Sequence, residues 1–156
     1  MASEDPVIES DAAATKVANA CIASNEITVE AWVTPADTSQ TGPAGILTCS
    51  DGMDNRNFTL AQDGSRYDVR LRTTSTSTNG IPSIATPVKS LRPELTHVVY
   101  TRDPAGRACV YLNGEQVEKN RRVRPNPVPV VLVGCEKVRD GDRKSTRLNS
   151  SHSSVS

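Results

Sequence analysis

The segment Glu26-Ile-Thr-Val-Glu-Ala-Trp-Val-Thr34 places Ile27, Val29, Ala31 and Val33 at every second position, and Pro35 ends the run. Side chains alternate across a strand, so this spacing sends one apolar row to a core, which no helical face can do. Trp32 falls on the opposite face and is expected to lie under a second apolar layer, with an exposed sugar platform as the alternative. Such a strand needs neighbours to pair its N–H and C=O groups, and the composition supplies them. Val, Ile and Thr number 38 against 10 for Leu and Met, and branching at Cβ favours the pleated sheet. A helical bundle is excluded. With 156 residues, the chain has room for one domain and little besides.

Further strands follow from the same alternation and from turn chemistry. Asn57 to Gln62 and Tyr67 to Thr73 flank Asp63-Gly64-Ser65 as a hairpin, with Tyr67, Val69 and Leu71 on the inner side. Gly45 to Cys49, Leu95 to Arg102, Arg107 to Leu112, Glu115 to Glu118 and Val128 to Gly134 read as further strands, with Asn113-Gly114 as a two-residue hairpin turn. One short helix is expected over Ser10 to Ser24, capped by Asp11. The Ser/Thr-rich stretch Thr73 to Pro87 reads as a surface loop. Short strands at roughly 8 to 15 residue intervals describe an all-β, antiparallel β-sandwich.

Charge excludes some functions. Eighteen basic residues balance eighteen acidic ones, so no net field draws the chain to nucleic acid or to an anionic membrane. The one basic cluster, Lys119 to Arg124, has no interleaved aromatics for base stacking. No apolar stretch approaches the ~20 residues of a membrane span. Met1 to Thr15 carries four acids and no apolar run, which is unlike a secretory signal. Cys21, Cys49, Cys109 and Cys135 form no C-x-x-C pair, and buried free thiols are the expectation ahead of disulfides.

Three segments in order, Ile27-Thr-Val-Glu-Ala-Trp-Val-Thr-Pro35, Thr96-His-Val-Val-Tyr-Thr-Arg-Asp103 with Gly106, and Val110-Tyr-Leu-Asn-Gly114, resemble the laminin G-like modules of the concanavalin A-like lectin/glucanase superfamily. Asn55 to Leu60 through Tyr67 to Arg72 looks like the middle of a bacterial subgroup. The resemblance spans about Ala14 to Arg143 and implies a jelly-roll sandwich. It also implies a binding module for carbohydrate or a protein surface, extracellular or periplasmic, among other domains of a larger parent chain. The division expected is a lead at 1–13, the module at 14–143, and a disordered, non-native tail at 144–156. Residues 144–156 hold six serines in thirteen positions, too few apolar groups for a core. The closing strand of such modules is expected to be missing, and the chain as given to fold poorly.

Superfamily glucanases place two glutamates four apart on one strand with an aspartate between. Here Glu26 and Glu30 flank Thr28, so the acid that tunes such a pair is absent, and no enzyme activity is expected. His97, with no Ser or Cys nucleophile in a turn motif, reads as a hydrogen-bonded structural residue. No cofactor is required, although Asp51, Asp54 and Asn55 crowd one loop with the oxygen donors that calcium favours. Asp, Asn and Gly are equally the ordinary residues of tight turns. Arg70, Arg72 and Asn57 are the candidate ligand contacts, because arginine offers forked donors to sugar hydroxyls and carboxylates, with pairing to Asp68 on a soluble sheet face as the alternative. A purely structural spacer and a degenerate glycan hydrolase are the rival functions.

Overall fold

A computed structural model describes residues 8–9, 14–50, 55–119, 129–132, 137–140 and 146–147. Within them the chain forms β1 (Ile8–Glu9), α1 (Thr15–Ser24), β2 (Ile27–Pro35), β3 (Ala44–Ser50), β4 (Arg56–Asp63) and β5 (Arg66–Leu71). There follow β6 (Ile84–Ala85), β7 (Thr96–Arg102), β8 (Ala108–Leu112), β9 (Glu115–Lys119), β10 (Lys137–Asp140) and β11 (Thr146–Arg147). One sheet has the order β1-β10-β3-β4-β5-β6 and the other β11-β2-β7-β8-β9. Every pairing is antiparallel, and the two sheets make a jelly-roll sandwich.

Alternation produces the core as expected. Ile27, Val29, Ala31 and Val33 of β2 and Val98 and Tyr100 of β7 point inward with Val110 of β8. They meet Ile46, Phe58, Leu60, Tyr67 and Val69 of the facing sheet in one cluster. Val33, Val98 and Val110 have no exposed surface, and burying each such side chain contributes ~1.5 to 3 kcal/mol. The turns follow their residues. Asn113 (φ 50) and Gly114 (φ 87) both take positive φ between β8 and β9, as a type I′ hairpin requires.

Several expectations are corrected. Helix α1 begins at Thr15, behind an Ala14 that makes no side-chain cap, and Asp11 lies outside the described residues. The stretch from Thr73 to Pro87 is not all surface loop. Its Ile84–Ala85 pairs with Val69 and Asp68, and buried Thr86 accepts the Tyr67 N–H on its Oγ1 at 2.9 Å. A polar side chain is buried there because it satisfies a strand end that would otherwise be orphaned. Gly80 (φ +70) packs so closely that a Cβ would fall 2.8 Å from the Leu71 nitrogen. Cys49 is disulfide-bonded, against the free-thiol expectation, whereas Cys21 and Cys109 are free. Cys135 lies outside the described residues. Of the expected strand from Val128 to Gly134, residues 129–132 are described, with Val130 bridging Thr73. Strands β1, β10 and β11 have too little alternation to be read from sequence. Of the expected tail, Thr146–Arg147 pairs with Thr34 and Pro35, and the other residues lie outside those described.

Three buried groups make the fold sensitive to alkali. Burial pushes the Cys21 thiol above its ordinary 9.0. It pushes the Tyr67 and Tyr100 phenols above their ordinary 10.0, with Thr96 and Arg102 respectively opposing the shift. Each group stays protonated in the folded chain at a pH where the unfolded chain releases the proton, so stability is complete below the unfolded values and falls above them. The urea midpoint should therefore hold from neutral pH to about pH 9 and fall with growing slope beyond about pH 10. Tyr100→Phe should flatten the upper part of that fall. A midpoint constant to about pH 11 would contradict this burial.

Candidate functional site

The alternation that builds the core also builds an outer face. Opposite the buried row of β2 stand Thr28, Glu30, Trp32 and Thr34, and opposite that of β7 stand His97, Val99 and Thr101, all half-buried. Antiparallel register sets Trp32 against His97, Glu30 against Val99 and Thr28 against Thr101. Strand β8 continues the rows with Tyr111 beside Val99 and Cys109 beside Thr101.

Register therefore joins residues 67 positions apart. The His97 ring stacks on Trp32 with centroids 4.1 Å apart and planes 17° from parallel. Its Nε2 lies 3.1 Å from Glu30 Oε2, and the two side chains remain 29% and 30% exposed. The backbone of His97 is pinned by the next turn, where its N–H donates to Asn113 Oδ1 at 2.9 Å and its C=O accepts the Asn113 N–H at 2.8 Å. Trp32 is thus half-buried under a histidine rather than under an apolar layer. The hydrogen-bonded histidine expected from sequence is present.

At the Thr28 end of this face, a groove of about 890 Å³ opens between α1 and the ends of β2, β7 and β8. The helix contributes Lys16, Val17, Ala20 and Cys21, and the sheet contributes Thr28, Thr101, Cys109 and Tyr111. Glu26, Asp103 and Arg107 line its rim, where Arg107 Nε donates to Asp103 Oδ2 at 2.6 Å.

The groove depends on how the helix ends. Asn25 adopts the left-handed conformation (φ 58) at the C-cap, a position asparagine tolerates better than most residues. Arg102, only 6% exposed, donates from Nη1 to the Asn25 carbonyl and to its Oδ1 at 3.0 Å. The same Oδ1 accepts the Val130 N–H at 2.9 Å, while Asn25 Nδ2 donates to the Pro104 carbonyl at 2.8 Å. Burial pulls the Arg102 guanidinium below its ordinary value, with Tyr100 and Asp103 opposing. It stays charged at any working pH.

The residues nominated from sequence sit elsewhere. Asn57, Arg70 and Arg72 are brought together on the outer side of the β4–β5 hairpin, where the Asn57 carbonyl accepts the Arg72 N–H at 2.8 Å. Asn57 has no exposed surface. Arg70 Nε donates to Asp68 Oδ2 at 2.8 Å, with the two side chains 15% and 5% exposed, and the Gly80 backbone approaches the Arg70 Cβ closely. Asn55 is exposed just ahead of β4. Asp51 and Asp54 lie outside the described residues, as do Asn120 to Arg124 of the basic cluster. Among the described residues no three His, Cys, Asp or Glu side chains converge as a metal site, and no helix is long and apolar enough to cross a membrane. The cluster of Glu30, Trp32 and His97 escaped sequence reading because it is a property of register. Its signal was that two strands share an outward parity.

A laminin G-type family model, described as the concanavalin A-like lectin/glucanases superfamily, matches residues 9–144. Solved structures share the fold. The ligand binding domain of botulinum neurotoxin serotype D, in complex with N-acetylneuraminic acid, is 14% identical with a TM-score of 0.60, over 94% of this chain and 34% of that one. The binding domain of botulinum neurotoxin DC, in complex with rat synaptotagmin II, is 10% identical with a TM-score of 0.58, over 88% and 32%. A further structure of the serotype D binding domain is 14% identical with a TM-score of 0.56, over 77% and 28%. The chain thus spans about a third of the length of these structures. No curated protein sequence matches the chain.

Because Trp32 is the sole tryptophan, its emission reports this face alone. His97→Ala removes the stacked ring, and Trp32 emission should move to longer wavelength while acrylamide quenching rises. Unchanged emission and quenching in a folded variant would contradict the stack.

Proposed function

We infer the function from one premise: the chain belongs to the concanavalin A-like lectin/glucanases superfamily, in its laminin G-like branch. On that premise the chain is a non-catalytic binding module, for carbohydrate or for the surface of another protein, working as one part of a larger protein. The observation that carries this reading is the outer face of the five-stranded sheet. It holds a half-exposed aromatic stack, a carboxylate and a contiguous groove on strands fixed from beneath by the core. Preformed concave surfaces with a few placed polar groups are the usual form of a binding site. Similar folds have been solved with N-acetylneuraminic acid and with synaptotagmin II, which supports both ligand classes for the architecture.

Two features support the absence of catalysis. A retaining glycosidase needs two carboxyl groups about 5 to 5.5 Å apart across the scissile bond. Glu26 instead lies exposed ahead of β2, where its N–H donates to Ser24 Oγ at 3.2 Å, while Glu30 is engaged by His97. The residue between them is Thr28, which cannot tune a carboxyl group by charge. The disulfide at Cys49 supports an oxidising compartment, extracellular or periplasmic.

The test is a glycan array, run beside a reducing-sugar assay on mixed β-glucans. Retention of one glycan class with no release of reducing ends is the expected result. Release of reducing ends that Glu30→Gln abolishes would establish a hydrolase instead. Failure to retain any glycan or any protein partner would leave a structural spacer.

A further inference from the structure

We propose that Asn113 is a self-modification site, at which the Gly114 nitrogen displaces the side-chain amide as ammonia and water then leaves an aspartyl or isoaspartyl residue in the β8–β9 turn. This goes beyond the binding reading and does not rest on it.

The sequence holds two Asn-Gly pairs, Asn79-Gly80 and Asn113-Gly114. In such a pair the glycine nitrogen, once it loses its proton to base, can attack the asparagine Cγ and close a succinimide ring. The N–Cγ bond forms, the Cγ–Nδ2 bond breaks, and the departing nitrogen takes up a proton as ammonia. Water then opens the ring. Attack at the side-chain carbonyl leaves aspartate, and attack at the main-chain carbonyl leaves isoaspartate. Glycine favours the closure because it has no Cβ to crowd the approach.

The fold treats the two pairs oppositely. Asn113 and Gly114 are both exposed, and among the described residues the Gly114 N–H has no acceptor. A Cβ at Gly114 would meet nothing within 4 Å, so the nitrogen can swing toward Cγ without displacing a neighbour. Asn113 Oδ1, on which negative charge builds as the nitrogen adds, already accepts the His97 N–H at 2.9 Å. A backbone donor at that distance stabilises such an oxyanion. At the other pair, the Gly80 N–H donates to the Ser77 carbonyl at 2.9 Å. A Cβ there would fall 2.8 Å from the Leu71 nitrogen and 2.9 Å from the Arg70 Cβ, so the backbone has no room to turn. Asn79 Oδ1 is buried and finds no hydrogen-bond partner among the described residues, which makes developing charge costly. The same dipeptide is open and assisted in one turn and locked in the other.

The two products act differently on the neighbouring face. Aspartate keeps an oxygen for the His97 N–H. Isoaspartate routes the main chain through Cβ and Cγ, which lengthens a two-residue turn whose geometry sets the β8–β9 register. The paired bonds between Asn113 and His97 cannot both survive this, and His97 carries the ring that stacks on Trp32. Slow modification of one exposed turn thereby loosens the aromatic stack from its edge.

The experiment ages the full chain in mildly alkaline buffer, at a pH below the alkaline fall in stability. Peptide mass mapping follows the replacement of NH2 by OH at each asparagine. In the folded chain, conversion at Asn113 should outrun that at Asn79 about tenfold or more, a ratio that needs a barrier difference of only about 1.4 kcal/mol. In urea the two rates should converge. Enzymatic methylation of isoaspartate should rise with time at Asn113, and Trp32 emission should move to longer wavelength in step with it. Asn113→Asp should leave the emission wavelength unchanged. Asn113→Gly, which suits the positive φ there, should remove the conversion in that turn. Equal conversion at the two sites in the folded chain, or faster conversion at Asn79, would overturn the proposal. A preference for Asn113 that persists undiminished in urea would also overturn it, since flanking residues rather than the fold would then set the rate. Isoaspartate at Asn113 with unchanged emission would overturn the coupling to Trp32.

Discussion

The hydrogen-bonded pair of Asn25 and Arg102 joins the sandwich to α1, the one helix among the described residues. Arg102 ends β7 with the inward parity of Val98 and Tyr100, so its guanidinium enters the sandwich at 6% exposure, where an uncompensated charge would be strongly unfavourable. The end of α1 contributes to compensating it, together with the Asp103 charge. Asn25 turns left-handed, presents its carbonyl and Oδ1 to the guanidinium, accepts the Val130 N–H on the same Oδ1, and donates from Nδ2 to the Pro104 carbonyl. One residue thereby joins the helix, the β7–β8 turn and the segment at 129–132. With the helix so placed, Ala18 and Cys21 close the end of the core beside Ile27, and the groove opens next to them, with Cys21 and Ile27 in its lining.

The same parity that buries Val29, Ala31 and Val33 leaves Glu30 and Trp32 on a supported surface. Because the inner row cannot slip by one residue without turning apolar side chains to water, register is fixed from the inside. The outer pairs, Trp32 with His97 and Glu30 with Val99, inherit that precision. Binding residues carried on strands in this way are positioned by the core itself. The opposite sheet treats its outer side differently, where Asp68 and Arg70 form an ion pair beneath the close approach of Gly80.

Much of this was legible in the sequence. The alternation in β2, the turn at Gly64 and the Asn113-Gly114 hairpin each carry a local physical signal, and each element lies where that signal placed it. The family resemblance rested on the same segments and agrees with the family match. Short strands such as β6 and β10 carry no such signal, since two to four residues show no periodicity and exist only because a neighbouring strand offers them a ladder. Long-range side-chain partners were not legible either. Arg70 reads from sequence either as a partner of Asp68 or as a forked donor for a ligand, and Asp68, two positions away on the same face, engages it. His97 and Glu30 were each visible singly, but only pairing β2 with β7 makes them one cluster.

The central claim, that the Asn25–Arg102 contact docks the helix, is tested most directly by a double-mutant cycle in urea unfolding. Asn25→Ala, Arg102→Ala and the double variant are compared with the unaltered chain. Hydrogen bonds to a charged group contribute about 1.5 to 3 kcal/mol, and Asn25→Ala removes the Oδ1 bond while keeping the carbonyl one, so a coupling energy of about that size is predicted for the side-chain contact. Costs that add to within about 0.5 kcal/mol, the scatter of independent sites, would contradict the account.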